Sequence, residues 1–374
     1  MIIDRVELRH IKMELISPFE TSMGVENYEE HLIVRIDSEG LTGWGECVVE
    51  PAPSYSPETV KTAWHILGDF LVPAILKANL ANVKDYIDKI SWIRGHRMAK
   101  ACIEAALWDL FARSKGISLS KLLGGKQSKI LVGVSIGIKP YIKALLSEIQ
   151  GFLNEGYKRI KLKIAPGRDI KFIEAVRKEF PGILFQVDAN SAYRLSHLDL
   201  FKQMEDYNLL LIEQPLGYED IYDHSKLQRE LRTPICLDES IRSAADATAA
   251  VELGSCKNIN IKPGRVGGYT ESILIHDYCA SRNMPVWHGG MDESGIGRAG
   301  NLALASLPNF KLPADISASN RYYKEDIAEP LFVLNKDGTI DVPANPGIGI
   351  EVNLNRLESV TVSKEVFAGS TYTV

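Results

Sequence analysis

The sequence predicts an α/β protein in which a (β/α)7β barrel of the TIM type carries an α+β capping domain built from both ends of the chain. Five ionisable residues recur at gaps of 25, 25, 25 and 24 residues, namely Lys163, Asp188, Glu213, Asp238 and Lys262. Each ends a short run rich in Ile, Leu or Val and precedes turn residues and a helical pattern, as in a repeated βα unit. Because strands of such a barrel end at one mouth, these five side chains are expected to converge there.

Residues 1–125 do not follow the repeat and predict the main part of the capping domain. Alternating runs at 2–15 and 31–37, followed by GLTGWGE, favour an antiparallel meander. Residues 59–74 and 98–115 have the pattern of amphipathic helices. Two segments rich in Pro, Gly and Ser, SPFETSMGVEN and CVVEPAPSYSPET, predict loops that cover the barrel mouth as a lid.

The barrel is predicted over residues 126–320. Its first strand is ILVGVSIGI and its second RIKLKI; the strands that end in the three carboxylates and the last lysine are the third to sixth. The seventh strand is VWHGG and the eighth KLPADISA. The repeat is absent from 321–374, where DGTIDVPANPGIGIEVN predicts a hairpin and turn that return the chain to the capping domain.

Composition limits the classes of protein to consider. A chain of 374 residues fits a barrel of roughly 200–250 residues plus a second domain. A net charge of -5 disfavours nucleic acid or an anionic membrane as the main partner, and no stretch is apolar enough to span a bilayer. The first residues alternate like a strand, so no signal peptide is predicted and a cytoplasmic location is expected. The five cysteines lack CxxC spacing and are expected to be reduced.

The repeated residues suggest a metal-assisted base. Lys161 and Lys163 share one face of their strand, so each is expected to lower the proton affinity of the other, leaving one as a base near neutral pH. Asp188, Glu213 and Asp238 occupy equivalent positions on neighbouring strands and offer hard oxygen ligands, which predict a Mg²⁺ site. The alternative is a set of structural salt bridges, but five groups on one repeat favour the metal site.

The motifs KLK, DAN, EQP, DES and IKPGRVGG, in this order and spacing, resemble the muconate-lactonizing branch of the enolase superfamily. The resemblance continues through SPF, GWGE, ALWDL and GGMDESGIGRA. Within the branch, PADISASNRYYKEDI and WHGGM are most similar to o-succinylbenzoate synthases and to N-succinylamino acid or N-acylamino acid racemases. One departure is Asp292, where an apolar residue is expected.

This resemblance implies an enzyme that uses Mg²⁺, with Mn²⁺ as an alternative, and a small-molecule carboxylate substrate. The synthase dehydrates 2-succinyl-6-hydroxy-2,4-cyclohexadiene-1-carboxylate to 2-succinylbenzoate in menaquinone biosynthesis; the racemase inverts N-succinylamino acids. In both, a metal-bound carboxylate activates the adjacent carbon, a lysine removes its proton, and the enediolate that forms is stabilised by positive charge. Lys163 matches the base, Lys161 its electrostatic neighbour, and Lys262 the group on the opposite face of the substrate.

The two reactions use the same lysines differently. In the synthase, Lys163 would take the proton and return one to the departing hydroxyl, while Lys262 would act as a cation; in the racemase both would be bases. Further candidates for substrate binding are Ser135, Phe19, Met23, Tyr55, Asp315 and Ser317. Candidates that support the site are Asn190, Glu239 and Arg265. Glu239 is either an orienting group or an acid at a helix N-terminus, and Arg265 either lowers the pKa of Lys262 or is a solvated loop arginine. His288 is expected to form structural hydrogen bonds.

Other functions are disfavoured by specific residues. A degenerate barrel kept as a binding protein is expected to have lost a ligand or a lysine, and this chain retains them all. A dipeptide epimerase is expected to carry D-x-D in the eighth strand, where this chain has Asp315-Ile316-Ser317. The ISAS segment disfavours a muconate cycloisomerase. Synthase and racemase both stay open, and the resemblance implies an even-numbered homo-oligomer.

Overall fold

The antiparallel meander begins the chain, as predicted, in the computed structural model, which describes residues 1–368. Its strands are β1 (Arg5–Thr21), β2 (Gly24–Ser38) and β3 (Leu41–Cys47). The helices that follow are α1 (Val60–Ile66), α2 (Val72–Ile75), α3 (Val83–Lys89), α4 (Arg97–Ser114) and α5 (Leu119–Leu123), with a π-helical turn at Leu67–Leu71 between the first two. None of the helices in the described part of the chain has the length and apolarity needed to span a bilayer.

Helix α4 packs directly on β3 because two glycines of that strand leave room for its backbone. A side chain at Gly45 would collide with the carbonyl oxygen of Cys102, and one at Gly43 with that of Ala106. The spacing of the two glycines places both on the face of β3 that contacts the helix. The GWGE motif therefore reflects close backbone packing in the cap.

This packing predicts a measurable loss of stability. Gly45→Ala should lower the free energy of unfolding by about 1–3 kcal/mol, because a methyl group forces strand and helix apart. The measurement is chemical denaturation followed by circular dichroism. The matched control is Gly151→Ala within a barrel helix, where an added Cβ meets nothing within 4 Å and alanine is the better helix former. Equal unfolding midpoints for Gly45→Ala and the wild type would contradict this account.

The barrel follows the capping domain along the chain, after one short strand, Lys129–Leu131. Seven parallel strands, β5 to β11, lie side by side in chain order. The elements are β4 (Lys129–Leu131), β5 (Val134–Ile136), α6 (Ile142–Glu155), β6 (Arg159–Lys163), α7 (Ile170–Glu179), β7 (Leu184–Asp188), α8 (Leu198–Met204), β8 (Ile212–Glu213), α9 (Tyr222–Glu230), β9 (Ile235–Leu237), α10 (Ala244–Leu253), β10 (Asn258–Ile261), α11 (Pro263–Val266), α12 (Tyr269–Ser281), β11 (Val286–His288) and α13 (Gly295–Ala305).

The eighth segment closes the barrel by irregular hydrogen bonds to both of its neighbours. On one side the amide of Lys311 donates to the carbonyl of Val286 at 3.1 Å, and that of Asp315 to the carbonyl of His288 at 2.8 Å. On the other side, the amide of Gly133 donates to the carbonyl of Ala314 at 2.8 Å. The (β/α)7β barrel is therefore confirmed, with a bonded but irregular last strand.

The first of the two predicted lid loops is a hairpin tip. Phe19 pairs with Glu26 and Thr21 with Gly24, so β1 and β2 continue almost to their turn after an irregularity between Glu14 and Phe19. The amide of Ile138, just beyond β5, donates to the carbonyl of Glu20 at 2.7 Å. The expectation of an irregular loop was wrong here, and the tip is seated on the barrel mouth.

The C-terminal segment does not form the predicted hairpin. Its elements are β12 (Ala328–Glu329), β13 (Thr339–Asp341), β14 (Glu351–Val352), α14 (Leu354–Val360) and β15 (Thr361–Ala368). Strand β13 pairs with β4 and β14 pairs with β12, so the two halves of the expected hairpin bond to different partners. The chain returns to the capping sheet through β15, which pairs antiparallel with β1.

Candidate active site

The barrel brings the five repeated residues together at the carboxyl ends of its strands. Lys163 pairs in register with Asp188, and Asp188 with Glu213 on the next strand. Asp238 and Lys262 each directly follow a strand, β9 and β10. All five side chains are buried. This placement follows from one βα unit per repeat.

Lys163 is held between a carboxylate and an amide. Its Nζ donates to Oδ2 of Asp188 and to Oδ1 of Asn190, both at 2.7 Å. Asn190 in turn donates to Oε1 of Glu239 at 3.0 Å. Asn190 therefore links the expected base to the second carboxylate of the DES motif.

Lys161 lies among three carboxylates. Its Nζ is 2.9 Å from Asp315, 3.3 Å from Asp188 and 3.4 Å from Glu213. Burial lowers the pKa of Lys161, but these carboxylates outweigh burial and raise the pKa above its ordinary value. The expectation that the paired lysines depress each other's proton affinity was wrong for Lys161, which these carboxylates hold as a cation.

Lys262 faces the third carboxylate from the other side of the mouth. Its Nζ is 2.9 Å from Oδ2 of Asp238 and donates to the hydroxyl of Tyr55 at 3.1 Å. The other oxygen, Oδ1 of Asp238, accepts from Arg265 and, at 3.0 Å, from Tyr55. Burial lowers the pKa of Lys262, but Tyr55, Glu213 and Glu239 raise it by more. Arg265 contacts Asp238 and the hydroxyl of Tyr55, and its expected lowering of the pKa of Lys262 stays a prediction.

Tyr55 has a different environment from the expected apolar wall. It is buried, and its hydroxyl contacts a predicted metal ligand, Lys262 and Arg265 together. It reaches the barrel from the irregular segment after β3, in the second predicted lid loop. The capping domain thus contributes a polar group to the centre of the site.

The three carboxylates are oriented by neutral amides and by cations. Glu213 accepts from Asn260 at 2.7 Å and from Gln186 at 3.5 Å. Burial raises the pKa of Glu213, whereas Lys163 and Lys161 outweigh burial at Asp188 and lower its pKa to about 2. Each carboxylate lies against an ammonium or guanidinium group, so these positions favour positive charge. The donor types fit a hard divalent cation, which prefers carboxylate oxygen, but within residues 1–368 the oxygens of these three carboxylates do not all lie within 4.8 Å of one another.

Asp315 and Ser317, the two candidate substrate contacts from the eighth strand, differ in their position relative to the mouth. Asp315 accepts from Ser135 at 2.6 Å and pairs with Lys161, and Arg159 approaches it to 3.5 Å. These cations outweigh burial and lower the pKa of Asp315. Ser135 and Asp315 still line the mouth, but Ser317 is buried outside its lining. The geometry therefore does not support a substrate contact for Ser317.

A narrow cavity lies between the hairpin tip and the barrel mouth. It has a volume of about 70 Å³ and is lined by Lys163 and Lys262 and by the predicted contacts Phe19, Met23 and Tyr55. Ligand pockets are typically at least about 300 Å³, so a substrate must displace the tip or the second lid segment to enter. Both covering segments come from the cap, as a lid requires.

Acidic residues also line the cavity, and their proximity to one another was not predicted from the sequence. Among residues 1–368, one set of three Asp, Glu, His or Cys side chains brings ligand atoms within 4.8 Å of one another, and it consists of Glu26, Glu29 and Asp292. All three line the cavity, as does Glu50. The feature of the sequence that could have pointed to these acids was Asp292, the residue that departs from the family pattern.

His288 was expected to hydrogen-bond as a structural residue, but within residues 1–368 neither nitrogen of its ring has a hydrogen-bond partner. Its ring is fully buried and packs on Phe310 with centroids 5.7 Å apart. Burial lowers its pKa to about 3, so the ring is neutral.

Comparison with known proteins agrees with this architecture. Residues 5–124 match the mandelate racemase/muconate lactonizing enzyme N-terminal domain, and residues 144–356 match the enolase C-terminal domain-like family. The chain belongs to the enolase superfamily. Members of the enolase superfamily generally use a divalent metal, in line with the donor set above.

Individual relatives in the enolase superfamily cover nearly the whole chain. An o-succinylbenzoate synthase of Geobacillus stearothermophilus is 49% identical over 98% of this chain and 97% of its own length. An N-succinylamino acid racemase of an Amycolatopsis species is 47% identical over 99% and 100%. The crystal structure of an enolase superfamily member from Listeria innocua superposes with a TM-score of 0.95 at 43% identity, covering 98% of this chain and 99% of the other.

Proposed function

We propose that this chain is an o-succinylbenzoate synthase that also has the groups needed to racemise N-succinylamino acids. The observation that carries the proposal is the position of the two lysines. Lys163 contacts Asp188 at one end of the carboxylate set, and Lys262 contacts Asp238 at the other. The names of the relatives at 49% and 47% identity support the same two activities.

In this proposal the lysines act on opposite faces of one substrate carbon. The Nζ of Lys163 accepts the proton from the carbon next to the substrate carboxylate and later delivers one to the departing hydroxyl. The Nζ of Lys262 stays protonated during dehydration and stabilises the negative charge that develops on the substrate. In racemisation it instead delivers a proton to the face opposite Lys163.

Other side chains would set the protonation and position of the lysines. Asn190 orients Lys163 through the 2.7 Å hydrogen bond, and Lys161 remains a cation among its three carboxylates. Tyr55 and Arg265 hold Asp238 beside Lys262. The lid formed by the cap would exclude water once the substrate is bound.

We further propose that Asp188, Glu213 and Asp238 hold Mg²⁺, with Mn²⁺ as an alternative. When bound, the ion would supply positive charge that offsets these carboxylates and stabilises charge on the substrate carboxylate. Asn260 and Gln186 would orient Glu213 for this role.

The metal assignment gives a direct test. Chelation should abolish turnover reversibly. Glu213→Gln should weaken Mg²⁺ binding by more than the roughly 10- to 100-fold that follows loss of a group which only orients a ligand, because one anionic ligand becomes neutral. Isothermal titration calorimetry measures the affinity, and steady-state dehydration measures turnover. The matched control is Glu219→Gln, whose side chain is 60% exposed and paired with Arg242 outside the site. Full turnover in excess chelator would overturn the assignment.

The two activities are separated by assays on the same preparation. Dehydration is followed with the cyclohexadiene carboxylate, and racemisation with the enantiomers of an N-succinylamino acid. The proposal expects dehydration. Absence of dehydration, together with rapid racemisation, would identify racemisation as the function of this chain.

A further inference from the structure

Asp315, in the eighth barrel segment, is the carboxylate that lies closest to the ammonium group of Lys161. Its Oδ2 is 2.9 Å from Nζ of Lys161, whereas Oδ2 of Asp188 is at 3.3 Å and Oε2 of Glu213 at 3.4 Å. Asp188 and Glu213 are two of the three proposed metal ligands, but the proposed reaction gives Asp315 no role. Lys161 is therefore shared between metal ligands and a carboxylate outside that set.

Lys161 is confined to this position by its surroundings. Its side chain is 3% exposed, and it is carried by β6, in which every residue is buried. Its Nζ lies over the ring of Trp287, 5.0 Å from the centroid. A buried ammonium group is costly unless it is paired, so Lys161 must keep a carboxylate partner inside the site.

Asp315 is fixed by contacts to its backbone and to both carboxylate oxygens. Its Oδ2 accepts a hydrogen bond from the hydroxyl of Ser135 at 2.6 Å, and its Oδ1 lies 3.5 Å from Nη2 of Arg159. Arg159 is itself fully buried and donates to the carbonyl of Pro313 at 3.2 Å. The amide of Asp315 donates to the carbonyl of His288 at 2.8 Å. Asp315 is therefore a stationary anion to which the ammonium group is attracted.

An ammonium group and a divalent cation compete when they share carboxylate partners. Both need the same oxygen lone pairs, and their positive charges repel each other over a few ångströms. With Asp315 ionised, Lys161 has a partner outside the metal ligands. With a neutral group in its place, the carboxylates left beside Lys161 would be Asp188 and Glu213, and a metal ion would have to displace the ammonium group from both.

We propose that Asp315 is a positioning residue, which holds the ammonium group of Lys161 aside so that Asp188 and Glu213 are available to Mg²⁺. The inference rests on the proposed function, because it uses the same metal ligands. Asp315 would also offset the charge of Lys161, which allows the lysine and a divalent cation to occupy one buried site. This role differs from the substrate contact that the sequence predicts for Asp315.

The test measures Mg²⁺ affinity in the absence of substrate, by isothermal titration calorimetry. Asp315→Asn should weaken Mg²⁺ binding by about 10- to 100-fold, the range that follows loss of a group which supports a metal ligand. Adding Lys161→Met to this variant should restore much of the affinity, because the competing ammonium group is removed.

Steady-state dehydration gives a second measurement that separates competition from damage to the fold. Excess Mg²⁺ should recover most of the turnover of Asp315→Asn, because a competing cation is displaced by mass action. A kcat that stays low at every Mg²⁺ concentration would show a merely structural role for Asp315 and overturn the inference.

Ser135→Ala tests the same role without a change of charge. It removes the 2.6 Å hydrogen bond that fixes Asp315 and should weaken Mg²⁺ binding severalfold. If Asp315→Asn does not fold, this variant decides the question, and an unchanged Mg²⁺ affinity would overturn the inference.

The matched control is Asp292→Asn, which removes one negative charge from the lining of the same cavity. Among residues 1–368, Lys161 pairs with Asp315, Asp188 and Glu213 but not with Asp292. The control should keep a Mg²⁺ affinity near that of the wild type, and a loss as large as that of Asp315→Asn would assign the effect to net charge and overturn the inference. Unchanged affinity in a folded Asp315→Asn, with Mg²⁺ binding by the wild type intact, would overturn this inference alone. Absence of Mg²⁺ binding by the wild type would overturn the proposed metal site and this inference with it.

Discussion

Lys163→Ala should eliminate dehydration, with a loss of at least about 10²–10⁴-fold in kcat, because it removes the side chain that we propose as the acceptor of the substrate proton. The nearest alternative, Lys161, is held as a cation by Asp315, Asp188 and Glu213. Steady-state dehydration of the cyclohexadiene carboxylate gives the rate. Calorimetry with Mg²⁺ should show that the variant still binds metal, because all three carboxylates remain.

The control for this variant lies next to the start of the same strand. Lys158→Ala removes an exposed lysine next to the start of β6, at the end of the barrel opposite the mouth, and should leave turnover near the wild-type value. Substantial dehydration by Lys163→Ala, with metal binding intact, would mean that another group is the base. Loss of metal binding together with turnover would instead show that the variant has collapsed the site.

The convergence of the five repeated residues was predictable because it depends only on local pattern and barrel geometry. A 25-residue βα unit places each strand end at the same mouth, and no long-range detail is needed. The environment of those residues was less predictable. Lys161 and Asp315 form an ion pair only because the eighth segment closes beside the first strand, and neither spacing nor residue type shows that contact.

The group formed by Glu26, Glu29 and Asp292 shows a second limit of pattern analysis. Glu26 and Glu29 differ by an odd number of positions, so a regular strand would place them on opposite faces. The irregularity in β1 between Glu14 and Phe19 leaves Glu26 opposite Phe19 and Glu29 opposite Met13. Both acids line the cavity. Asp292 joins them from a distant part of the chain, a tertiary contact that a single sequence does not reveal.

The hydroxyl of Tyr55 was missed for a related reason. An aromatic residue in a Pro- and Ser-rich segment was interpreted as an apolar wall, whereas its oxygen contacts Asp238 and Lys262. Irregular segments have no periodicity that fixes which atom of a side chain faces the site. The division of the chain at residues 125 and 320, and the even-numbered oligomer, stay predictions.

Lys262→Arg should separate dehydration from racemisation. The variant keeps a positive charge opposite Lys163 but cannot act as a base near neutral pH, so part of the dehydration should survive while racemisation is lost. The lysine stem is closely packed, since a Cβ added at Gly289 would lie 2.7 Å from Cε of Lys262. Lys262→Ala, which removes both charge and base without adding bulk, is therefore the companion variant and should lose both activities.

The decisive measurement for the Lys262→Arg variant is exchange of the α-proton with deuterated solvent, followed by NMR on each enantiomer of an N-succinylamino acid separately. Lys163 and Lys262 contact opposite ends of the carboxylate set, so each should exchange the proton of one enantiomer only. Lys262→Arg should therefore wash deuterium into one enantiomer, through Lys163, without forming the other. Lys163→Ala should show the opposite selectivity through Lys262. Equal exchange into both enantiomers by Lys262→Arg would show that a single base serves both faces, and the assignment of one lysine to each face would be wrong.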